Sequence, residues 1–181
     1  MKKKGFFRGR NKKRGFSLVE MLVALLIMAL LAVMVSSSVA AATQVYRRSV
    51  FVSESETLSS TLSTAMANVF NYATDIEIKK DGRVAFTSPA FQINDAGYFL
   101  LTGGTKGYIC YIPYENADAS SYKLLVGRGA YTSLYITDLS VSYDQTANVF
   151  TVKYTIRSSQ LGSAARQVTG TYRSLKADLT D

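Results

Sequence analysis

An uninterrupted apolar segment near the amino terminus constrains this chain more than any other feature. Met21 to Val35 contains no polar residue, and the 26 residues from 21 to 46 carry no charge. An α-helix rises about 1.5 Å per residue, so about 20 apolar residues cross a bilayer core of roughly 30 Å. The sequence therefore predicts a membrane-spanning helix, with its transmembrane part at about residues 16–40.

The excess positive charge of the chain lies in front of this apolar segment. The 181 residues include 21 basic and 13 acidic side chains, which gives a formal net charge of +8. Eight of the basic residues and no acidic residue fall within residues 1–15, which leaves 13 of each sign for the remainder. This distribution predicts a single-pass protein of the cytoplasmic membrane, with a cytoplasmic leader and a head outside. Because the charges of residues 16–181 balance, this part of the chain provides no bulk electrostatic attraction to nucleic acid.

The composition excludes several classes of chemistry. One cysteine and no histidine exclude an intrachain disulfide, a zinc site built from cysteine and histidine, and a histidine-based catalytic triad. The glycine-rich segments 103–107 and 127–129 lack the spacing of a phosphate-binding loop. Cys110 lies in an apolar run, where we expect a small buried hydrophobic side chain. We therefore expect no enzyme activity, no catalytic residue, no metal, no cofactor and no small-molecule substrate.

A glutamate lies inside the predicted span. Glu20 is the only charged residue between residues 15 and 46. A carboxylate in a membrane-spanning segment costs about 2.5–3.5 kcal/mol on insertion scales, so such acids are functional by default. Two other interpretations of the span are a permanent anchor and a secretory signal peptide, whose small-residue cleavage site would be residues 38–40. In neither of them does this carboxylate have a role.

Glu20 closes a six-residue motif, GFSLVE at residues 15–20, that follows the short basic leader. This motif resembles the processing site of type IV prepilins and pseudopilins. In that family, an aspartyl prepilin peptidase cuts after the glycine and methylates the new amino terminus. The resemblance implies cleavage between Gly15 and Phe16 and N-methylation of Phe16. It also implies that Glu20 acts in assembly and register by pairing with the terminal amine of a neighbouring subunit.

Elementary electrostatics is consistent with that implied pairing. Cleavage after Gly15 would create an α-amine four residues from the Glu20 carboxylate, and neither charge is favourable in lipid alone. In a stack of helices, the amine of one subunit could neutralise the carboxylate of the next. A buried pair of this kind adds little net stability but is costly to break, so it can set register.

The pattern beyond the span predicts an α+β fold. Between residues 58 and 73, apolar side chains recur at helical spacing on one face, namely Leu58, Leu62, Ala65, Met66, Val69, Phe70 and Ala73. The sequence therefore predicts one long helix over residues 16–73, transmembrane in its first half and amphipathic in its second half. From residue 74 the period becomes 2, which predicts an antiparallel β head over residues 74–181, with a single buried face packed on the helix, a pilin-like arrangement.

Some strands of this head have a clearer sequence pattern than others. The clearest is residues 149–157, where one face carries Phe150, Val152, Tyr154 and Ile156. Asp81-Gly82 predicts a hairpin turn after the alternating residues Ile76 and Ile78, and Val84 and Phe86 continue the apolar face after the turn. Residues 167–176 predict a closing strand. A second alternating strand is expected at residues 139–143, joined to residues 149–157 by the loop 144–148, and shorter strands are expected at residues 98–102, 108–112 and 122–126.

These features together predict a structural subunit of a filament. The chain would be a pilin, a minor pilin or a pseudopilin of a type IV pilus-like, competence or type II secretion-like system. Its expected partners are other pilin or pseudopilin subunits, the prepilin peptidase, membrane lipid before assembly, and nucleic acid only in a competence pseudopilin. It would pass from the cytoplasmic membrane to a pilus or the cell surface. The alternative is a membrane-anchored extracellular binding or adhesion module that does not polymerise.

Overall fold

A computed structural model describes residues 16–102, 107–113 and 122–175. The predicted leader, including Gly15, and Lys176 of the predicted closing strand lie outside the described residues. The chain divides into two compact units, one that ends at Val45 and one that begins at Tyr46. The second unit contains the hydrophobic core.

One long helix and eight strands form the described structure. Helix α1 is Leu18–Asn71, which confirms the helix predicted over residues 16–73. The strands are β1 Thr74–Ile78, β2 Val84–Ser88, β3 Ile93–Leu101, β4 Ile109–Pro113, β5 Lys123–Leu124, β6 Leu134–Asp144, β7 Val149–Ser158 and β8 Ala165–Arg173. Short 3-10 turns follow β2 and β5, at Pro89–Phe91 and Arg128–Ala130.

The strands form two antiparallel sheets, whereas the sequence analysis expected one sheet. Strands β1 to β5 pair in sequence order in the first sheet, and β6, β7 and β8 form the second. The α+β class and the packing of the helix on antiparallel strands are as predicted. A period of 2 defines the two faces of a strand but does not name its neighbours, so it could not reveal this division. All five residues of β2 are buried, which also departs from the predicted single buried face.

The first hairpin has the predicted turn and, apart from Ile78, the predicted apolar face, because Val84 and Phe86 are buried and Ile76 packs against the core. β1 pairs with β2 around Gly82, whose φ of 80° suits glycine and whose N–H donates to the Lys79 carbonyl at 2.9 Å. Ile78, however, is 46% exposed. The register shifts between Thr74 and Glu77, and β1 is an edge strand of its sheet, so the core does not cover Ile78 at the end of the strand.

The second half of α1 buries one continuous face. Its buried residues follow a spacing of three and four, namely Phe51, Ser55, Leu58, Leu62, Met66, Val69 and Phe70. This face was predicted to begin at Leu58, but in the structure it begins two turns earlier, at Phe51. The missed positions include a serine, which interrupts the apolar pattern without interrupting the burial.

Phe70 joins the helix to both sheets. Its ring stacks on Phe150 of β7 with 4.2 Å between the centroids and lies 5.2 Å from Phe86 of β2. Phe99 and Tyr172 lie 5.4 and 5.5 Å away. The inward face of β7 is buried as predicted, with Phe150, Val152 and Ile156 at 0% exposure and Tyr154 at 2%.

The core position of Phe150 generates a stability prediction. Phe150→Ala should lower the free energy of unfolding by about 3–5 kcal/mol, because it removes a fully buried ring and leaves a cavity beside Phe70. Chemical denaturation of the detergent-solubilised full chain, followed by tyrosine fluorescence, measures this loss. Lys153→Ala is the control because Lys153 lies exposed on the opposite face of the same strand. Equal losses in the two variants would contradict the packing.

Candidate functional site at the amino-terminal end of the helix

Ser17 and Glu20 cap the start of helix α1. The Glu20 carboxylate accepts the backbone N–H of Ser17, with 2.9 Å between nitrogen and oxygen, and the N–H of Val19 donates to the Ser17 hydroxyl at 3.3 Å. This reciprocal arrangement is a capping box, which satisfies two backbone donors that the helix leaves open. A carboxylate in the first turn also faces the positive end of the helix dipole. The capping box gives Glu20 a role within its own helix.

This capping role of Glu20 was not among the predictions from the sequence. The spacing Ser-x-x-Glu directly before an apolar run was visible in the sequence, and it is the standard signal for a capping box. The cap engages one carboxylate oxygen, Oε2. An ionised carboxylate can accept about four hydrogen bonds, so the cap leaves Glu20 able to receive a further donor. An intrahelical cap and a pairing with another subunit are therefore compatible.

The apolar side chains from Phe16 to Val45 are exposed on all sides of the helix. Each large apolar side chain in this range exposes at least half of its surface, from Val23 at 50% to Phe16 at 82%. An apolar surface of this extent is unfavourable in water and marks a membrane or protein interaction site. By length and composition, the helix could cross a membrane. The predicted residues Phe16 and Glu20 both lie at the beginning of this surface.

The hydroxyl side chains that follow the apolar segment donate their hydrogen bonds within the helix. Ser36 donates to the Ala32 carbonyl at 2.8 Å, and Ser38 donates to the Met34 carbonyl at 2.9 Å. Thr43 donates to the Val39 carbonyl at 2.8 Å. Because these hydroxyls are satisfied within the helix, they lower the cost of an apolar environment over residues 36–43.

The head offers little chemistry of other kinds. Cys110 is fully buried, and its thiol donates to the Leu100 carbonyl at 3.4 Å. Burial raises the pKa of this thiol to about 11, so it stays protonated near neutral pH. Within the described ranges, no group of three or more acidic, histidine or cysteine side chains could hold a metal ion. The β1–β2 hairpin carries the exposed ion pairs Lys79–Glu77 and Arg83–Asp81, consistent with a solvated edge.

A family model identifies the amino-terminal region. The prokaryotic N-terminal methylation motif matches residues 10–36, which include the capped helix start and most of the apolar segment. The chain carries the type IV prepilin-type signature. This match confirms the predicted resemblance, and it supports a pilin-like or pseudopilin protein, that is, a structural subunit rather than an enzyme. No match was found among curated proteins or among solved structures.

The signature has consequences for partners and location. It implies assembly with other pilin subunits and processing by a prepilin peptidase. Together with the apolar part of α1, it fits a membrane-anchored protein that is later found on the cell surface.

The buried thiol generates a prediction about reactivity. Cys110 should resist alkylation by iodoacetamide in the folded chain at about pH 8 and should react readily after denaturation, because the thiolate is the nucleophile. Its native reactivity should rise steadily with pH and level off only above about 11, the raised pKa, because the thiolate fraction grows until that pH is passed. Mass spectrometry of the alkylated chain measures this. An exposed cysteine introduced by Ser140→Cys provides the fast-reacting reference. If both cysteines reacted at the same rate, the burial of Cys110 would be wrong.

Proposed function

We propose that this protein is a structural subunit of a type IV pilus-like, competence or type II secretion-like filament, as a pilin, minor pilin or pseudopilin. The observation that carries this proposal is the helix from Leu18 to Val45, whose apolar side chains are exposed on every side and whose only charge is Glu20 in the first turn. Such a helix can reside in the membrane before assembly and then pack against identical helices in a filament. It is the element through which subunits would assemble.

The proposed maturation divides the chain into three parts. Residues 1–15 are a cytoplasmic leader that the prepilin peptidase removes, and Phe16 becomes the N-methylated first residue. Residues 16–73 are the assembly helix, which crosses the membrane at about residues 16–40. Residues 74–181 form the head, which lies outside. The match to the methylation motif across residues 10–36 supports this order.

Glu20 is proposed to set the register between subunits. After cleavage, the new amine of Phe16 lies four residues from a carboxylate that its own cap uses through one oxygen. In a filament, the amine of a neighbouring subunit would reach that carboxylate in apolar surroundings. The pair contributes little net stability but strongly disfavours an arrangement that leaves either charge unpaired. Subunits would therefore stack at one axial offset.

The processing step has a direct test. Co-expression with a prepilin peptidase should yield a mature chain that begins with N-methylated Phe16, as determined by mass spectrometry of the amino-terminal peptide. Gly15→Leu should block this cleavage, because a side chain would hinder close approach of the backbone to the peptidase. Gly5→Leu is the matched control, since residues 5–6 repeat the Gly-Phe pair without an acid at the following offset. A terminus at Ala41 would indicate ordinary secretion instead.

The register role of Glu20 has a second test with an internal control. Glu20→Ala should leave membrane insertion and processing largely intact but abolish filament incorporation, because a buried unpaired amine costs about 3–5 kcal/mol. Glu20→Asp should be intermediate, since the charge is kept and the reach is shortened. Incorporation is measured by immunoblotting of sheared filaments against the membrane fraction.

Ser17→Ala separates the two roles of the carboxylate. This variant removes the serine hydroxyl from the cap, at a cost of about 1 kcal/mol to the helix start, but it keeps the charge of Glu20. Incorporation of Ser17→Ala should therefore be near that of the parent. If Ser17→Ala failed to the same extent as Glu20→Ala, capping alone would account for the effect. If Glu20→Ala assembled normally, the register role would be wrong, as it would be for a solitary membrane-tethered adhesion module.

A further inference from the structure

The first residues of the second unit form an uncovered turn of helix. Tyr46 is 70% exposed, and Arg47, Arg48 and Ser49 are exposed as well. Coverage of α1 by the head begins only at Phe51, which is 7% exposed. Tyr46, Arg47 and Arg48 therefore present an aromatic ring and two guanidinium groups that the described head does not cover.

The two guanidinium groups lack a carboxylate partner within the part of the chain that the structure describes. The nearest acids along the helix are already engaged by the head. Glu54 accepts the Ser133 hydroxyl at 3.1 Å, and Glu56 pairs with Arg166 at 3.3 Å. Arg47 and Arg48 are the first cations after the uncharged residues 21–46, so this turn is a local site of positive charge.

We propose that Tyr46, Arg47 and Arg48 form a lipid-binding collar that holds the phosphates of anionic phospholipids in the outer leaflet of the cytoplasmic membrane. The inference rests on the proposed function, in which the preceding apolar helix spans that membrane. Guanidinium groups bind phosphate through paired hydrogen bonds, and tyrosine is favoured at the level of the headgroups. The collar would hold the subunit at a defined depth before it is extracted into a filament.

Helix length supports the lipid as the occupant. The 28 residues from Leu18 to Val45 span about 42 Å as a helix, which matches a bilayer of about 40–45 Å measured with its headgroup regions. A helix of this length that begins at one headgroup region ends at the other, and the collar is the next segment of the chain. A second copy of the chain is a weaker occupant, because its helix offers only Glu20, Glu54 and Glu56, of which the last two are engaged by the head.

The absence of tryptophan from the chain allows a local test. Tyr46→Trp introduces a single fluorescent reporter while keeping an interfacial aromatic residue. The full chain with this substitution is reconstituted in two sets of vesicles, both made of phosphatidylcholine and phosphatidylglycerol. The phosphatidylcholine is brominated in one set and the phosphatidylglycerol in the other, and the brominated lipid quenches the indole fluorescence. Relative quenching gives the preference among the lipids that neighbour the indole reporter. The cationic leader does not contribute, because the quencher reports only on lipids next to the reporter.

The collar predicts a preference for phosphatidylglycerol of about fivefold or more at low salt, since each arginine near an anionic surface contributes about a fivefold factor. Arg47→Gln with Arg48→Gln should remove the preference. Lys80→Gln with Lys153→Gln is the charge-matched control, as both lysines are exposed on the head, and it should retain the preference. A preference that survives the arginine substitutions, or that is lost equally in the lysine control, would overturn the collar.

The same measurement distinguishes a failure of the collar proposal from a failure of the proposed function. If the collar were wrong but the helix spanned the membrane, both brominated lipids would quench the indole reporter equally. If the membrane span itself were wrong, neither lipid would quench the reporter, and the collar would fail with it. An unchanged denaturation midpoint of the arginine variant verifies that the head remains folded.

Discussion

The stacking of Phe70 on Phe150 joins the parts of the head into one core. Phe70 ends the buried face of α1, and its ring also lies close to Phe86 of the first sheet. Each sheet has an apolar face that must be removed from water, and both faces meet on the same helical residue. The second half of α1 contributes a whole face to this core. The core of the head is therefore incomplete without the helix that is proposed to assemble the filament.

Polar contacts determine where the helix lies on the head. Glu54 contacts Ser133, Glu56 contacts Arg166, and the Ser88 hydroxyl donates to the Val69 carbonyl at 3.0 Å. Apolar packing is not directional, so a smooth apolar face alone would allow small shifts of the helix. Hydrogen bonds require particular distances and angles and disfavour such shifts.

The amino-terminal end shows how one residue can satisfy two demands. Glu20 caps its own helix through Ser17, which makes the carboxylate useful in a single subunit. A carboxylate has further acceptor capacity, which an amine from another subunit could use. The cap also orients the side chain before any partner arrives, so less conformational entropy would be lost on pairing. The proposed register role therefore builds on a geometry that the isolated chain already has.

The long helix, the position of most strands and the inward face of β7 were predictable from the sequence, because these depend on local periodicity. The sequence also contained the methylation motif and the capping-box spacing of Ser17 and Glu20. Three features could not be predicted in this way, namely the division of the strands into two sheets, the exposure of Ile78 and the start of the buried helix face at Phe51. These features depend on which distant segments pair and cover one another. Periodicity within one segment carries no information about its neighbours in space.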